Sequence, residues 1–236
     1  MIRAISFQVA LKFLTILFIL PLLWSCSSGS NDNQTDLNPF DPSIPLDPAL
    51  PIDPDFPNYT VILLEPGADL ENRILSALIT AEQNTVVQLP AGTYDFVGEL
   101  SSSVDNIVLR GTGMDAESGT VLRFDGQTTG AQSLLATGNN FVVQDLAIEN
   151  SPGDAIKVIG TNGVTIRRVR IEWTNGPDEN NGAYGLYPVQ TRNVLIEDCE
   201  VRGASDAGVY VGQSENIIVR RNYVYENVAG IEIENS

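Results

Sequence analysis

The chain has 236 residues, 43% hydrophobic and 18% charged, which is ample for one core of domain size. Its 13 basic and 30 acidic residues give a formal charge of −17, a balance that argues against nucleic acid and anionic lipid head groups as partners. The absence of histidine removes the commonest general base and metal ligand, and with only Cys26 and Cys199 no disulfide framework is expected.

Residues 1–25 have the build of a signal peptide. Arg3 and Lys12 make a positive start, and Phe13 to Trp24 is an apolar run of the right length for export but short for a membrane span. The run ends Leu22-Leu23-Trp24-Ser25-Cys26, which resembles a bacterial lipobox. That resemblance implies that Cys26 is lipidated and becomes the new N-terminus. Ser27 and Ser28 follow with no aspartate like that of an inner-membrane retention signal. The implied location is the outer membrane of a bacterial envelope, facing the periplasm or the cell surface.

Residues 26–60 form a Pro/Asp-rich linker. Pro39, Pro42, Pro45, Pro48, Pro51, Pro54 and Pro57 fall every third residue, the repeat of a polyproline II helix. At about 3.1 Å per residue such a rod spans somewhat under 60 Å, and the aspartates within it repel one another. It reads as a spacer that lifts the domain from the membrane, or as a proline-rich ligand for another domain.

The domain proper is expected over 61–236. Val61–Leu64 is a short apolar strand, and Leu70, Ile74, Ala77, Leu78 and Ala81 recur at the spacing of one helix face, with Asp69 as N-cap. An amphipathic helix here would cover the first coil of a solenoid. Four segments then repeat: Asn140-Phe-Val-Val143, Gly163-Val-Thr-Ile166, Asn193-Val-Leu-Ile196 and Asn216-Ile-Ile-Val219. Each opens on a residue that tolerates a left-handed turn and continues with alternating apolar positions. A period in the twenties carrying period-2 strands marks a β-solenoid, so the fold class is all-β, a right-handed parallel β-helix with an N-terminal capping α-helix. Thr85-Val-Val-Gln-Leu-Pro-Ala-Gly-Thr-Tyr94 and Leu109-Arg-Gly-Thr-Gly113 resemble the first two coils of pectate-lyase-like β-helix proteins. Together with the repeats the resemblance covers about Val61 to Ser236 and extends to lipoproteins with tandem β-helix repeats, a likeness that implies fold and no activity.

The alternation sorts side chains by face. Phe141/Val143, Val164/Ile166, Val194/Ile196 and Ile217/Val219 point inward, as do Leu146, Val169, Cys199 and Asn222 in the next column. Cys199 is therefore expected to be a buried small hydrophobe. Asp145, Arg168, Asp198 and Arg221 alternate in sign from coil to coil beside Gln144, Arg167, Glu197 and Arg220, as ion-pair ladders would. Val108, Val142, Leu195 and Ile218, interrupted by Thr165, form an outward apolar stripe that suits a protein partner or a later part of the same chain. Lys157, Tyr187, Tyr210 and Glu232 stand outward, one per coil, and with Tyr184 are candidate residues for stacking a sugar chain. The alternative is that these tyrosines pack under the Asn/Gly/Pro-rich loop Thr174–Gly182.

Tyr184-Gly-Leu-Tyr-Pro-Val189 resembles the active-site strand of alginate C5-epimerases and related lyases, whose pattern is Tyr-Gly-Phe-Asp-Pro-His. Tyr187 stands at the aspartate position and Val189 at the histidine position, so no catalytic residue is assigned. Asp154 and Asp206 each precede a strand, two coils apart and out of register, and read as turn formers. No cofactor or metal site is read, although calcium could bridge the acidic chain to a polyanionic glycan. The partner expected is a polysaccharide or another envelope component, bound without catalysis. A polysaccharide lyase or epimerase and a docking scaffold remain as alternatives. The last residues, Ile231-Glu-Ile-Glu-Asn-Ser236, end on an unblunted strand, and further coils or end-to-end association are expected.

Overall fold

A computed structural model describes residues 56–236 apart from Ala68. The expected signal peptide, the expected lipidation site at Cys26 and most of the expected linker lie outside the described residues. Strand β1 (Thr60–Leu63) and helix α1 (Leu70–Thr80) lead into the first full coil, made of β2 (Thr85–Gln88), β3 (Gly92–Asp95) and β4 (Leu100–Ser102). The second coil has β5 (Ile107–Arg110), β6 (Thr120–Arg123) and β7 (Gln132–Ala136). In the next two coils the first two strands run together through a corner, as β8 (Phe141–Glu149) before β9 (Asp154–Ile159), and β10 (Asn162–Glu172) before β11 (Leu186–Val189). The last two described coils are β12 (Arg192–Glu197), β13 (Glu200–Arg202) and β14 (Ala207–Gly212), then β15 (Glu215–Arg220), β16 (Tyr223–Tyr225) and β17 (Ala229–Glu234).

Every pairing among the described strands is parallel, and each strand pairs with its counterpart one coil away. The first face stacks β1-β2-β5-β8-β10-β12-β15, and the third is a six-stranded sheet, β4-β7-β9-β11-β14-β17. Between them β3-β6, the second leg of β8 and of β10, and β13-β16 make the second face. The result is a three-faced parallel β-helix. Parallel strands joined by long connections close with right-handed crossovers because of strand twist.

The coils turn where the sequence offers Asn or Gly. Asn140, Gly163, Asn193 and Asn216 all have positive φ, between 52° and 85°. The asparagine side chains also ladder between coils: Asn106 Nδ2 donates to Asn84 Oδ1 at 3.0 Å, and Asn140 Nδ2 to Asn106 Oδ1 at 2.8 Å. At Gly163 a Cβ would lie 2.1 Å from Asn140 Oδ1, so only glycine fits beneath that ladder. The inward columns are as the alternation predicts. Phe141, Val143, Val164, Ile166, Val194 and Ile196 are fully buried, and Cys199 is buried with its thiol pushed up to about 12 by desolvation. Ile231 and Ile233 of the last described coil point inward yet remain 47% and 51% exposed, because no described coil lies over them.

Helix α1 buries Leu70, Ile74, Ala77 and Leu78 over the first coil. Asp69 occupies the N-cap position but makes no capping bond to the backbone; its carboxylate accepts instead from the Asn72 side chain at 2.7 Å. On the outward apolar stripe Val86, Val108 and Val142 form one cluster, on which Phe56 and Tyr59 pack, while Leu195 and Ile218 form a second.

Candidate functional site

Two outward faces carry the polar chemistry. On the first, at the corner where β8 and β10 bend, Asp145, Arg168, Asp198 and Arg221 all adopt positive φ, from 48° to 58°. Such a conformation costs a non-glycine residue roughly 1–2 kcal/mol, of which the side-chain pairing at the corner offsets a part. Arg168 Nε donates to Asp145 Oδ1 at 2.5 Å, and Arg221 Nε to Asp198 Oδ1 at 2.7 Å. Beside them, three guanidiniums converge on Glu197, which is buried: Arg167 Nε at 3.1 Å, Arg220 Nε at 2.8 Å and Arg221 Nη2 at 2.7 Å. Burial alone would raise the Glu197 carboxyl, but the hydrogen bonds from Arg167 and Arg220 outweigh it and hold the group below the usual range. The ladders are thus real, with their centre buried. The positive charge of these arginines is matched internally.

The third face presents the tyrosines. Register places Lys157 opposite Tyr187 and Tyr210 opposite Glu232, and Leu186 opposite Val209 aligns the two pairs into one column. All four side chains are partly exposed. Their rings are not the coplanar row that the one-per-coil spacing suggests. Tyr187 and Tyr210 meet edge to face, 5.3 Å apart at 80°, and Tyr184 packs 4.7 Å from each. The cause lies on strand β14. Gly212 leaves open the space beside Tyr210, and a Cβ there would lie 2.7 Å from the ring. The Tyr210 hydroxyl donates to Glu234 Oε2 at 2.7 Å, so Glu234 joins the cluster beside the expected column member Glu232.

Lys157 closes the other end, its Nζ 4.6 Å above the Tyr187 ring and 3.8 Å from Asp154 Oδ2. Asp154 and Asp206, which read as turn formers in the sequence, both reach Tyr184 electrostatically. Burial and then the charge of Asp206 push the Tyr184 phenol up to about 12. Desolvation also raises Asp154, opposed by Lys157. Tyr187 is raised by burial and by Asp154, and Tyr210 is pushed up to about 12 by its bond to Glu234. All three phenols are therefore protonated at neutral pH and stand as hydrogen-bond donors beside carboxylate acceptors.

The sequence column thus gathers Lys157, Tyr184, Tyr187 and Tyr210 and omits three members, Asp154, Asp206 and Glu234. A signal was available for the first two, since an aspartate recurs at the first residue of β9 and just before β14, while Tyr184 holds the corresponding place in the intervening coil. No group of three or more His, Cys, Asp or Glu side chains converges to hold a metal among the described residues. Nor is any described helix long and apolar enough to cross a membrane.

A family model described as a right handed beta helix region matches residues 109–236, from the second coil to the last described one. Neither the curated proteins nor the solved structures contain a match to the chain.

Proposed function

The chain belongs to the right-handed β-helix family, and from that premise we propose that it is a lipid-anchored envelope protein that binds a polysaccharide on its third face. One observation carries the reading. Tyr184, Tyr187 and Tyr210 form a partly exposed three-ring cluster, rimmed by Lys157, Asp154, Asp206 and Glu234. Aromatic faces supply apolar contact to sugar rings, while phenol donors and carboxylate acceptors suit the alternating hydroxyls around them. Coils repeat at about 4.8 Å, near the length of one pyranose unit, so a linear glycan can meet successive coils. The net charge of −17 favours a neutral glycan over a bare polyuronate. Anchoring rests on the Leu23–Cys26 box and the apolar run before it. A glycan array probed in calcium and again in chelator tests the binding. Neutral oligosaccharides should be retained in both conditions. Retention of none would overturn the proposal, and retention of polyuronates with calcium alone would transfer it to a metal-bridged ligand.

A second reading is favoured by one feature, the desolvated Asp154 beside Lys157 and the Tyr184 phenol. Raised carboxyls in a cleft are candidates for proton transfer, as a polysaccharide lyase or epimerase requires. Incubation with uronate polymers would then generate unsaturated ends absorbing in the ultraviolet, or an altered uronate ratio.

A further inference from the structure

We propose that the glycan on the third face is a hexosamine polymer with free amino groups, whose ammonium groups sit between the tyrosine rings and the carboxylates of Asp206, Glu232 and Glu234. The inference rests on the glycan reading of this face and adds the charge of the ligand to it. The molecule supplies its own example of such a seat. Lys157 Nζ stands 4.6 Å from the centroid of the Tyr187 ring and 3.8 Å from Asp154 Oδ2, an ammonium held between an aromatic face and a carboxylate. The ring attracts the cation through its quadrupole, and the carboxylate adds the opposite charge.

The following coils repeat that arrangement without the lysine. Tyr210 succeeds Tyr187 in the column, its hydroxyl donates to Glu234 Oε2 at 2.7 Å, and Glu232 stands opposite it one coil on. Tyr184, 4.7 Å from both rings, has the Asp206 carboxylate beside its hydroxyl. A phenol occupies one acceptor site of a carboxylate that has about four, so Glu234 and Asp206 keep acceptors for an ammonium. Lys157 is the one basic residue on the described strands of this face. Among the described residues Asp206, Glu232 and Glu234 take part in no ion pair.

Three classes of glycan meet this surface differently. A polyuronate brings like charge against the three carboxylates and is repelled. An uncharged glycan stacks on the rings and leaves the carboxylates unmatched. A protonated hexosamine stacks by the same ring faces and sets its ammonium, one bond from the pyranose ring, beside them. Successive coils stand about 4.8 Å apart, near the length of one pyranose unit, so amines on neighbouring sugars meet carboxylates on neighbouring coils. A basic peptide has the charge but not the rigid rings that lie flat on tyrosine.

Titration of the full chain with the tetramer of glucosamine and the tetramer of N-acetylglucosamine tests this, since the two differ only in whether the amine is free. At about pH 6, where the free amines are ammonium groups, the glucosamine tetramer should bind about tenfold more tightly. Added salt should shrink that preference. At about pH 9 the sugar amine is neutral, while the Tyr184 and Tyr210 phenols, pushed up to about 12, keep their protons, and the two tetramers should bind alike. Equal affinity at about pH 6 would overturn the inference and leave the glycan reading standing, whereas binding of neither tetramer would overturn both. Tetralysine bound as tightly as the glucosamine tetramer would assign the face to a basic peptide and contradict the proposal. Asp206→Asn combined with Glu232→Gln is the companion variant, in which the ratio of the two affinities should fall to about twofold. A ratio kept near about tenfold would show that these carboxylates do not hold the amine.

Discussion

The outer surfaces of the first and third faces are built from the same kind of position, the outward side of a parallel strand, yet they dispose of their polar groups in opposite ways. On the first, the carboxylates are matched by arginines, and Glu197 answers three of them while buried. On the third, one lysine faces three carboxylates and three phenols, and the side chains remain partly exposed. Charge that is matched within the fold serves the fold. Charge and aromatic surface left facing outward without internal neutrality is what a ligand can use, and this favours the third face as the site despite the richer ionic network on the first.

The largest effect should come from breaking the matched side. Glu197→Ala leaves Arg167 buried without its partner, and removing one member of a buried pair typically costs about 3–5 kcal/mol. A denaturant midpoint close to that of the wild type would show that the network is dispensable. Acid tests the same point. Because its folded pKa is lowered, Glu197 contributes stability above the ordinary carboxylate range, and that contribution is lost as pH falls through the folded value. Glu197→Gln should flatten this loss.

Arg168 allows a smaller cut. It is 39% exposed at the side chain and pairs with Asp145, so Arg168→Ala should cost no more than about 1 kcal/mol. Arg168→Asp sets a new carboxylate between those of Asp145 and Asp198, giving like charges on three successive coils, and should melt lower than the alanine form. Identical melting temperatures for the two would contradict the ladder.

On the open side the sign reverses. Asp154 has a raised pKa, so its contribution is present below the unfolded value and is lost as pH rises through the folded one. Asp154→Asn should therefore be slightly more stable than the wild type at neutral pH, and the two should converge on acidification. A variant destabilised at neutral pH would place Asp154 among the structural carboxylates instead.

Much of this was legible in the sequence, for local reasons. The coil period, the inward columns and the alternating charges follow from Asn/Gly turns and strand alternation, which act over a few residues and repeat. The capping helix was legible from its apolar spacing, although the side-chain role of Asp69 was not, since Asn72 competes for the same carboxylate. Register-dependent features were harder. Asp154 and Asp206 flank Tyr184 only because coils of unequal length bring them there, and the tilt of Tyr210 depends on Gly212 and Glu234 in two different coils. The seat of Phe56 and Tyr59 on Val86, Val108 and Val142 is a long-range contact that no periodicity announces.

The central claim is that the tyrosine cluster holds a glycan, and titration of the protein and its Tyr187→Ala and Tyr210→Ala variants with neutral oligosaccharides of increasing length tests it most directly. A stacked aromatic contributes roughly 1 kcal/mol beyond area burial, so each variant should bind about fivefold more weakly while melting as the wild type does. Affinity in the wild type should rise with chain length until the cluster is spanned. Binding that is absent at every length, or that both alanine variants leave untouched, would contradict the account.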